Sequence, residues 1–464
     1  MMLRRTLAAL AILCLVAASG FALLAWRPAL APIAPPVAGS FDSAMIQRGA
    51  ALATAGNCLT CHTTGGGHSF AGGVAVRTPF GTIYSTNITP DPETGIGGWS
   101  EAAFRRALRQ GVSRDGRQIY PAFPYDHFTL ASDQDDQALY AYLMTRDPVR
   151  AVAPANELPF PLNVRLLIAG WKLLYFREGP YRPDPGQSEA WNRGAYLVEG
   201  VAHCGACHTP RNALGGERSH AGFAGGEAEG WTAYAIDRSS PAPVPWDAQA
   251  LGLYLRDGWH DLHGAARGPM APVIDNLAAL PDSDRGAMAG YVAAIAGEPS
   301  ADRRQAAQAL IARVRGQRPG SKPAAADAQT NGQASAPYEG ARIYQAACAV
   351  CHDSGRPLPF GGIDLALSTG PSGPDARNVI NVVLFGLPPA DGARGPIMPG
   401  FANVLTDQQL AALLVHLRSR FSNQPPWRGI APQIADARRS GPGTAYPSHG
   451  TDPARAVISR SEPP

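Results

Sequence analysis

The pentapeptide Cys-x-x-Cys-His occurs three times in this 464-residue chain, as Cys58-Leu-Thr-Cys61-His62, Cys204-Gly-Ala-Cys207-His208 and Cys348-Ala-Val-Cys351-His352. Two cysteines one helical turn apart can present both thiols to the two vinyl groups of one porphyrin, and the next residue offers its imidazole to the iron. With 7 Cys and 11 His in the chain, chance yields such a pentapeptide about 0.002 times. The motifs therefore read as three attachment sites for covalent haem c. A zinc site would want four ligands from paired elements, and a thioredoxin-type pair would want a βαβ context. Neither accounts for a histidine after the second cysteine in every copy. The seventh cysteine, Cys14, lies in an N-terminal apolar run, so no thiol is left for a disulfide framework.

The interval between motifs is nearly constant, 146 residues from Cys58 to Cys204 and 144 from Cys204 to Cys348. A fixed interval of this length predicts tandem domains. Each unit opens with a helix before its motif: Arg48-Gly-Ala-Ala-Leu52, Arg193-Gly-Ala-Tyr-Leu197 and Gly340-Ala-Arg-Ile-Tyr344. Each closes with a helix beginning near Ser132-Asp133, near Asp282-Ser283, or at Thr406-Asp-Gln-Gln409, which has the form of a capping box. Between them lie Gly/Pro-rich stretches, as 51 Gly and 43 Pro require. The expected fold is all-α, three tandem cytochrome c domains in which the porphyrin supplies much of the apolar core.

The predicted layout is a membrane anchor or signal segment over 1–34, a first domain over 41–150, a connector over 151–190 and a second domain over 191–300. A flexible linker over 301–336, a third domain over 337–427 and a polar, extended tail over 428–464 complete it. Thr6 to Trp26 carries no charge and follows Arg4-Arg5, so the run is long enough to span a bilayer and leaves the bulk of the chain outside the cytoplasm. A retained anchor is expected; Ala29-Leu30-Ala31 would serve as a cleavage site, and Leu13 before Cys14 is too large for a normal lipobox. The connector stretch Leu158–Phe176 is interrupted by Pro161, Arg165 and Lys172. It is read as packing between the first two domains, with a membrane-surface or quinone-contact element as the alternative. A formal net charge of +3 gives no argument for nucleic acid.

Low-spin haems take Met or His as second axial ligand. Met270 in Arg-Gly-Pro-Met-Ala-Pro and Met398 in Arg-Gly-Pro-Ile-Met-Pro-Gly sit in matching stiffened loops before the closing helices, and are the expected ligands of the second and third irons. The first unit departs: Tyr120-Pro-Ala-Phe123-Pro-Tyr-Asp-His127 places Phe123 where a methionine is wanted. His127, Met144 from the closing helix, or no ligand at all remain open there. His127 is adopted because it lies in the right loop, and a histidine in place of methionine would lower that haem's potential. No nucleophile elbow, phosphate loop or paired-carboxylate motif stands out, so no substrate-converting site is expected.

On these residues the chain resembles the three-haem cytochrome subunits of bacterial membrane-bound dehydrogenases. The resemblance is carried by Thr78-Pro-Phe-Gly-Thr-Ile-Tyr-Ser-Thr-Asn-Ile-Thr-Pro-Asp-Pro-Glu-Thr-Gly-Ile-Gly97, His203-Cys-Gly-Ala-Cys-His-Thr-Pro-Arg-Asn212, Gly268-Pro-Met-Ala271 and Met398-Pro-Gly-Phe401. It covers roughly Phe41 to Trp427. It implies a periplasm-facing subunit at the inner membrane that takes electrons from a catalytic partner and passes them to ubiquinone or a terminal oxidase. Subunits serving quinoprotein alcohol or flavin-dependent sugar-acid dehydrogenases typically carry Met in the Tyr-Pro-Ala-x-Pro-Tyr motif. Pro-Ala-Phe-Pro-Tyr-Asp-His-Phe128 and Pro425-Pro-Trp427 resemble instead the cytochromes paired with molybdenum hydroxylases of the aldehyde, nicotinate and isoquinoline type. That resemblance implies a molybdopterin subunit and a 2Fe-2S subunit as partners. Rivals are the quinoprotein or flavin partner, a haem enzyme with an open first iron acting on peroxide, and a free-standing diffusible cytochrome.

Overall fold

The computed structural model describes residues 2–316, 336–356, 358, 361–387 and 396–442. They divide into two compact units, residues 2–183 with 199–203, and residues 184–198 with 204–442.

The first unit begins with α1 (Met2–Ala25), whose stretch Met2–Leu23 is 22 residues long, has a mean hydropathy of 2.3 and is not buried. There follow α2 (Ser43–Ala55), α3 (Cys58–His62), the hairpin β1 (Ala75–Thr78) and β2 (Gly81–Tyr84), α4 (Glu101–Gln110), α5 (Tyr125–Phe128), α6 (Asp133–Met144) and α7 (Leu167–Tyr175). Side-chain oxygens of Asp42, Ser100 and Ser132 accept from backbone N–H groups in the first turns of α2, α4 and α6, satisfying donors that a helix start leaves without partners.

The second unit holds two repeats, each with an opening helix, a Cys-x-x-Cys-His turn and a closing helix. Its first repeat has α8 (Glu189–Ala195), α9 (Gly205–His208), the hairpin β3 (Gly226–Ala228) and β4 (Trp231–Ala233), α10 (Ala248–Asp257), the short pair β5 (Trp259–His260) and β6 (Gly264–Ala265), α11 (Met270–Ala278) and α12 (Asp282–Ala296). After α13 (Ala301–Gly316) come α14 (Ala336–Ala347), α15 (Ala349–His352), α16 (Thr369–Ser372), α17 (Arg377–Phe385), α18 (Asp407–Phe421) and α19 (Ile430–Ser440). Thr406 caps α18 in the expected box with Gln409.

A glycine marks the same event in each repeat. The opening helix crosses the closing helix: α2 on α6, α8 on α12, and α14 on α18. A Cβ on Gly49 would lie 1.9 Å from the Ala138 carbonyl oxygen, one on Gly194 2.1 Å from that of Ala287, and one on Gly340 2.1 Å from that of Ala412. These are backbone contacts that no side chain leaves room for, so the crossing is fixed by sequence at three places. Arg48 pairs with Asp135 at 2.5 Å, and Arg193 grips Asp284 through two bonds of 2.8 and 2.7 Å. Both arginines therefore fasten the opening helix to the first turn of the closing one.

The fold is mainly helical, as expected, and among the described residues three short two-stranded antiparallel ribbons lie between the helices. Two expectations change. The first half of the expected flexible linker is the helix α13. Its Ala307, Leu310, Ile311 and Val314 recur at helical spacing and pack with Val244 and Leu367; residues 317–335 lie outside the described residues. The expected extended tail begins with α19, where Ile434 is fully buried. Such burial contributes about 1.5–3 kcal/mol, enough to hold a helix that would be marginal alone. Arg438 clamps it, donating to the carbonyls of Ala402 (2.7 Å) and Leu405 (2.6 Å) and pairing with Asp407 at 2.6 Å. The tail beyond residue 442 lies outside the described residues.

Candidate haem sites

Each Cys-x-x-Cys-His forms a single helical turn after the opening helix, in α3, α9 and α15 with the residue before them. The three histidines share one bond. Nδ1 of His62 lies 2.6 Å from the carbonyl oxygen of Thr86, that of His208 2.7 Å from Tyr234, and that of His352 2.8 Å from Ile363. Only a protonated Nδ1 can donate to a carbonyl, so the lone pair sits on Nε2, the nitrogen an iron would take. Burial also lowers the basicity of His62 and His208, disfavouring the doubly protonated ring.

The backbone behind these rings is alike in the first two repeats. Gly72 N–H donates to the His62 carbonyl and Gly225 N–H to that of His208, both at 2.7 Å. Thr63 and Thr209 hydroxyls accept from the N–H groups of Phe70 (3.0 Å) and Phe223 (3.1 Å), each held at a φ of 63°. In the third repeat Gly362 takes over, its N–H donating to Cys351 at 2.9 Å; a Cβ there would come within 2.8 Å of His352 Nδ1. Among the described residues no motif cysteine is in a disulfide. Burial pushes Cys204 up to about 12 and Cys348 up to about 11, unlike the low-pKa thiolates of redox pairs. The spacing of each pair fits covalent haem attachment.

The distal loops can be aligned on a structural landmark. Gly111, Gly258 and Gly386 follow α4, α10 and α17 with φ of 60°, 76° and 71°. Phe123, Met270 and Met398 follow these glycines by the same twelve-residue interval. Met270 begins α11 after Gly268, whose φ of 59° and approach to Trp231 (2.4 Å from a would-be Cβ) exclude any side chain there. Met398 pairs by backbone with Leu387 and packs against the core formed by Tyr344, Ile380, Leu384 and Leu413. Phe123 occupies the methionine place in the first unit and stacks on Phe128 at 5.4 Å. His127 lies one turn further on, in α5; it is buried, and its Nδ1 is 2.7 Å from the carbonyl oxygen of Glu199. That is the bond found at the three motif histidines. Met144 ends α6 and is buried along with that helix's Leu139 and Leu143.

Several participants escaped sequence reasoning. The carbonyls of Thr86, Tyr234 and Ile363 carry no side-chain signal, and their distances in sequence from the histidines all differ. His263, in the turn between β5 and β6, is buried and stacked on Trp246 at 3.4 Å. Trp427, read as a partner signature, is a buried plug: its Nε1 donates to the Gly373 carbonyl (2.9 Å) and its ring lies beneath Arg418 at 4.7 Å.

Comparison with known proteins accords with this geometry. The family model for cytochrome c matches residues 46–147, and that for subunit III of cbb3-type cytochrome c oxidase matches residues 335–417. The fructose dehydrogenase cytochrome subunit of Gluconobacter japonicus is 36% identical over 84% of this chain and 82% of its own length. The gluconate 2-dehydrogenase cytochrome c subunit of Pantoea cypripedii is 36% identical over 86% and 90%. The chain belongs to the cytochrome c subunits of dehydrogenase complexes. A nicotinate dehydrogenase subunit of Pseudomonas putida is 46% identical over 89% of this cytochrome subunit, which spans 34% of that protein's length. As a member of this family it is an electron-transfer subunit and not the catalytic one. The N-terminal apolar helix has the length and composition of a membrane anchor or a signal sequence.

Proposed function

We propose that this cytochrome subunit carries three covalently bound haems c and relays electrons from a molybdopterin-type dehydrogenase, through a 2Fe-2S subunit, to ubiquinone or a terminal oxidase. The observation that carries the haem count is the Nδ1-to-carbonyl bond repeated at His62, His208 and His352. The thioether links come from Cys58 and Cys61, Cys204 and Cys207, and Cys348 and Cys351. His62, His208 and His352 would each hold one iron, and Met270 and Met398 would be the second protein ligands of the second and third. His127 would serve the first, supported by its burial and by its Nδ1 bond to the Glu199 carbonyl. The bound haem supplies one-electron exchange; the chain's part is to fix the imidazole tautomer and exclude water.

The nicotinate-type partner rests on the Pro-Ala-Phe-Pro-Tyr-Asp-His-Phe128 loop, and is supported by the 46% identity to the nicotinate dehydrogenase relative against 36% for the fructose and gluconate relatives. Arg4 and Arg5 in the first turn of α1, ahead of its uncharged run, support an anchored chain with its haem domains in the periplasm. The pyridine haemochrome of the purified chain should give three haems c per polypeptide; two would overturn the count. Affinity purification of the tagged chain from its native membranes should bring down molybdenum with iron–sulfur. A bound flavin or quinone-cofactor enzyme there instead would overturn the partner.

A further inference from the structure

The connector of the first unit is turned inside out. Between Leu158 and Arg177 there is no acidic residue, and the two cations within it point inward. Lys172 donates to the carbonyls of Gln110 (2.5 Å) and Gly111 (2.8 Å) and to Gln118 Oε1 (2.7 Å), and stands over the Tyr125 ring at 4.7 Å. Arg165 donates to the Gln118 carbonyl at 3.0 Å and covers Tyr120 at 4.7 Å. The apolar side chains face outward instead. Phe160 is 81% exposed, Leu167 46%, Leu173 55% and Leu174 62%, and Leu162, Val164 and Leu166 are exposed as well. Within the first unit these side chains are therefore not part of the core. On α7 and its two flanking residues the exposed positions 166, 167, 173 and 174 share one face, and the inward positions 169, 172 and 176 share another.

This face is continuous with α1. The ring of Phe21 would lie 3.5 Å from a Cβ at Gly170, in the middle of the outward face of α7. The end of α1 is bonded into the same network: Gln118 Nε2 donates to the Ala25 carbonyl at 2.9 Å, while its Oε1 accepts from Lys172. Leu23 and Trp26 add further exposed apolar surface. A large apolar face without acidic charge, edged by Arg27 and Arg177, that continues an apolar helix long enough to span a bilayer matches the chemistry of a lipid interface.

We propose that residues 159–176 form a monotopic element lying in the outer face of the bilayer beside α1, which seats the loop carrying Phe123 and His127 on the membrane surface. The proposal draws on the reading of α1 as a retained anchor, and one experiment separates the two. Nitroxide labels are placed at Leu167→Cys and Leu174→Cys in a Cys14→Ser background of the full haem-loaded chain, reconstituted in phosphatidylethanolamine–phosphatidylglycerol nanodiscs. Collisional relaxation by oxygen, which concentrates in the bilayer, is compared with that by an aqueous nickel chelate; Val152→Cys, 84% exposed, serves as the aqueous reference. Both connector labels should respond to oxygen several-fold more than to nickel, the reverse of Val152. A nickel response equal to that of Val152, or shielding from both relaxants by a protein cover, overturns the proposal. Intact mass together with an Ile12→Cys label reports on α1. Loss of the N-terminal residues would overturn the anchor reading alone, with the connector labels still deciding this one.

Discussion

A proton on Nδ1, held by a backbone carbonyl at 2.6–2.8 Å, is what makes His62, His208 and His352 equivalent. On the proposed ligation the sites differ at one position, Phe123 against Met270 and Met398, since a phenyl ring has no lone pair for iron. Replacing Phe123 by Met should raise the potential of the first haem and add a third contribution to the near-infrared band of thioether-ligated ferric haem. The His127→Ala variant should change the magnetic circular dichroism of one haem while leaving two methionine-ligated signatures intact; three unchanged haems would refute its assignment. Glycines separate just as sharply. Gly194→Ala sets a methyl 2.1 Å from the Ala287 carbonyl, and forcing α8 off α12 should cost about 1–3 kcal/mol. Gly286 on α12 has nothing within 4 Å of a would-be Cβ, and Gly286→Ala there should stabilise by about 0.5–1 kcal/mol. Thermal melts of the two variants should therefore move in opposite directions.

Helices were legible where apolar spacing and caps agreed, as in α6 and α18 with Ser132 and Thr406 at their starts. α13 and α19 lie in the stretches read as linker and tail; alanine and arginine, which favour helix, dominate α13, and in α19 the apolar positions Ile430, Ile434 and Ala437 recur at helical spacing but are few. In α7 the periodicity is present, but it gives no direction: the same stripe can face a core or a bilayer. The inward Lys172 decides that, and it titrates accordingly. Burial pushes its amine down to about 7 from an ordinary 10.5. Between those values the unfolded chain holds a proton that the folded chain has released, so stability rises with pH through that window and is flat below it. The native chain should gain stability over Lys172→Met between pH 7 and pH 10 in thermal melts. A constant difference would mean that the ammonium persists among its three carbonyl acceptors.

Across the molecule, one helix-crossing plan is used three times, once in the first unit and twice in the second. On the proposed function, repetition would supply several redox sites from one way of holding a porphyrin, with variation in the distal loop distinguishing them. The sequence by itself determined the three attachment motifs, their near-constant interval, the two methionines and the departure at Phe123. Those features are covalent and local: two thiols and an imidazole within one turn need no distant residue to define them. Only the tertiary structure decided which carbonyl fixes each imidazole, that Trp427 is a plug, and that the connector turns its leucines outward and its charges in. Each of these depends on segments far apart in the chain meeting in space, and spacing along the chain carries no record of which backbone oxygen, or which solvent, a side chain will face.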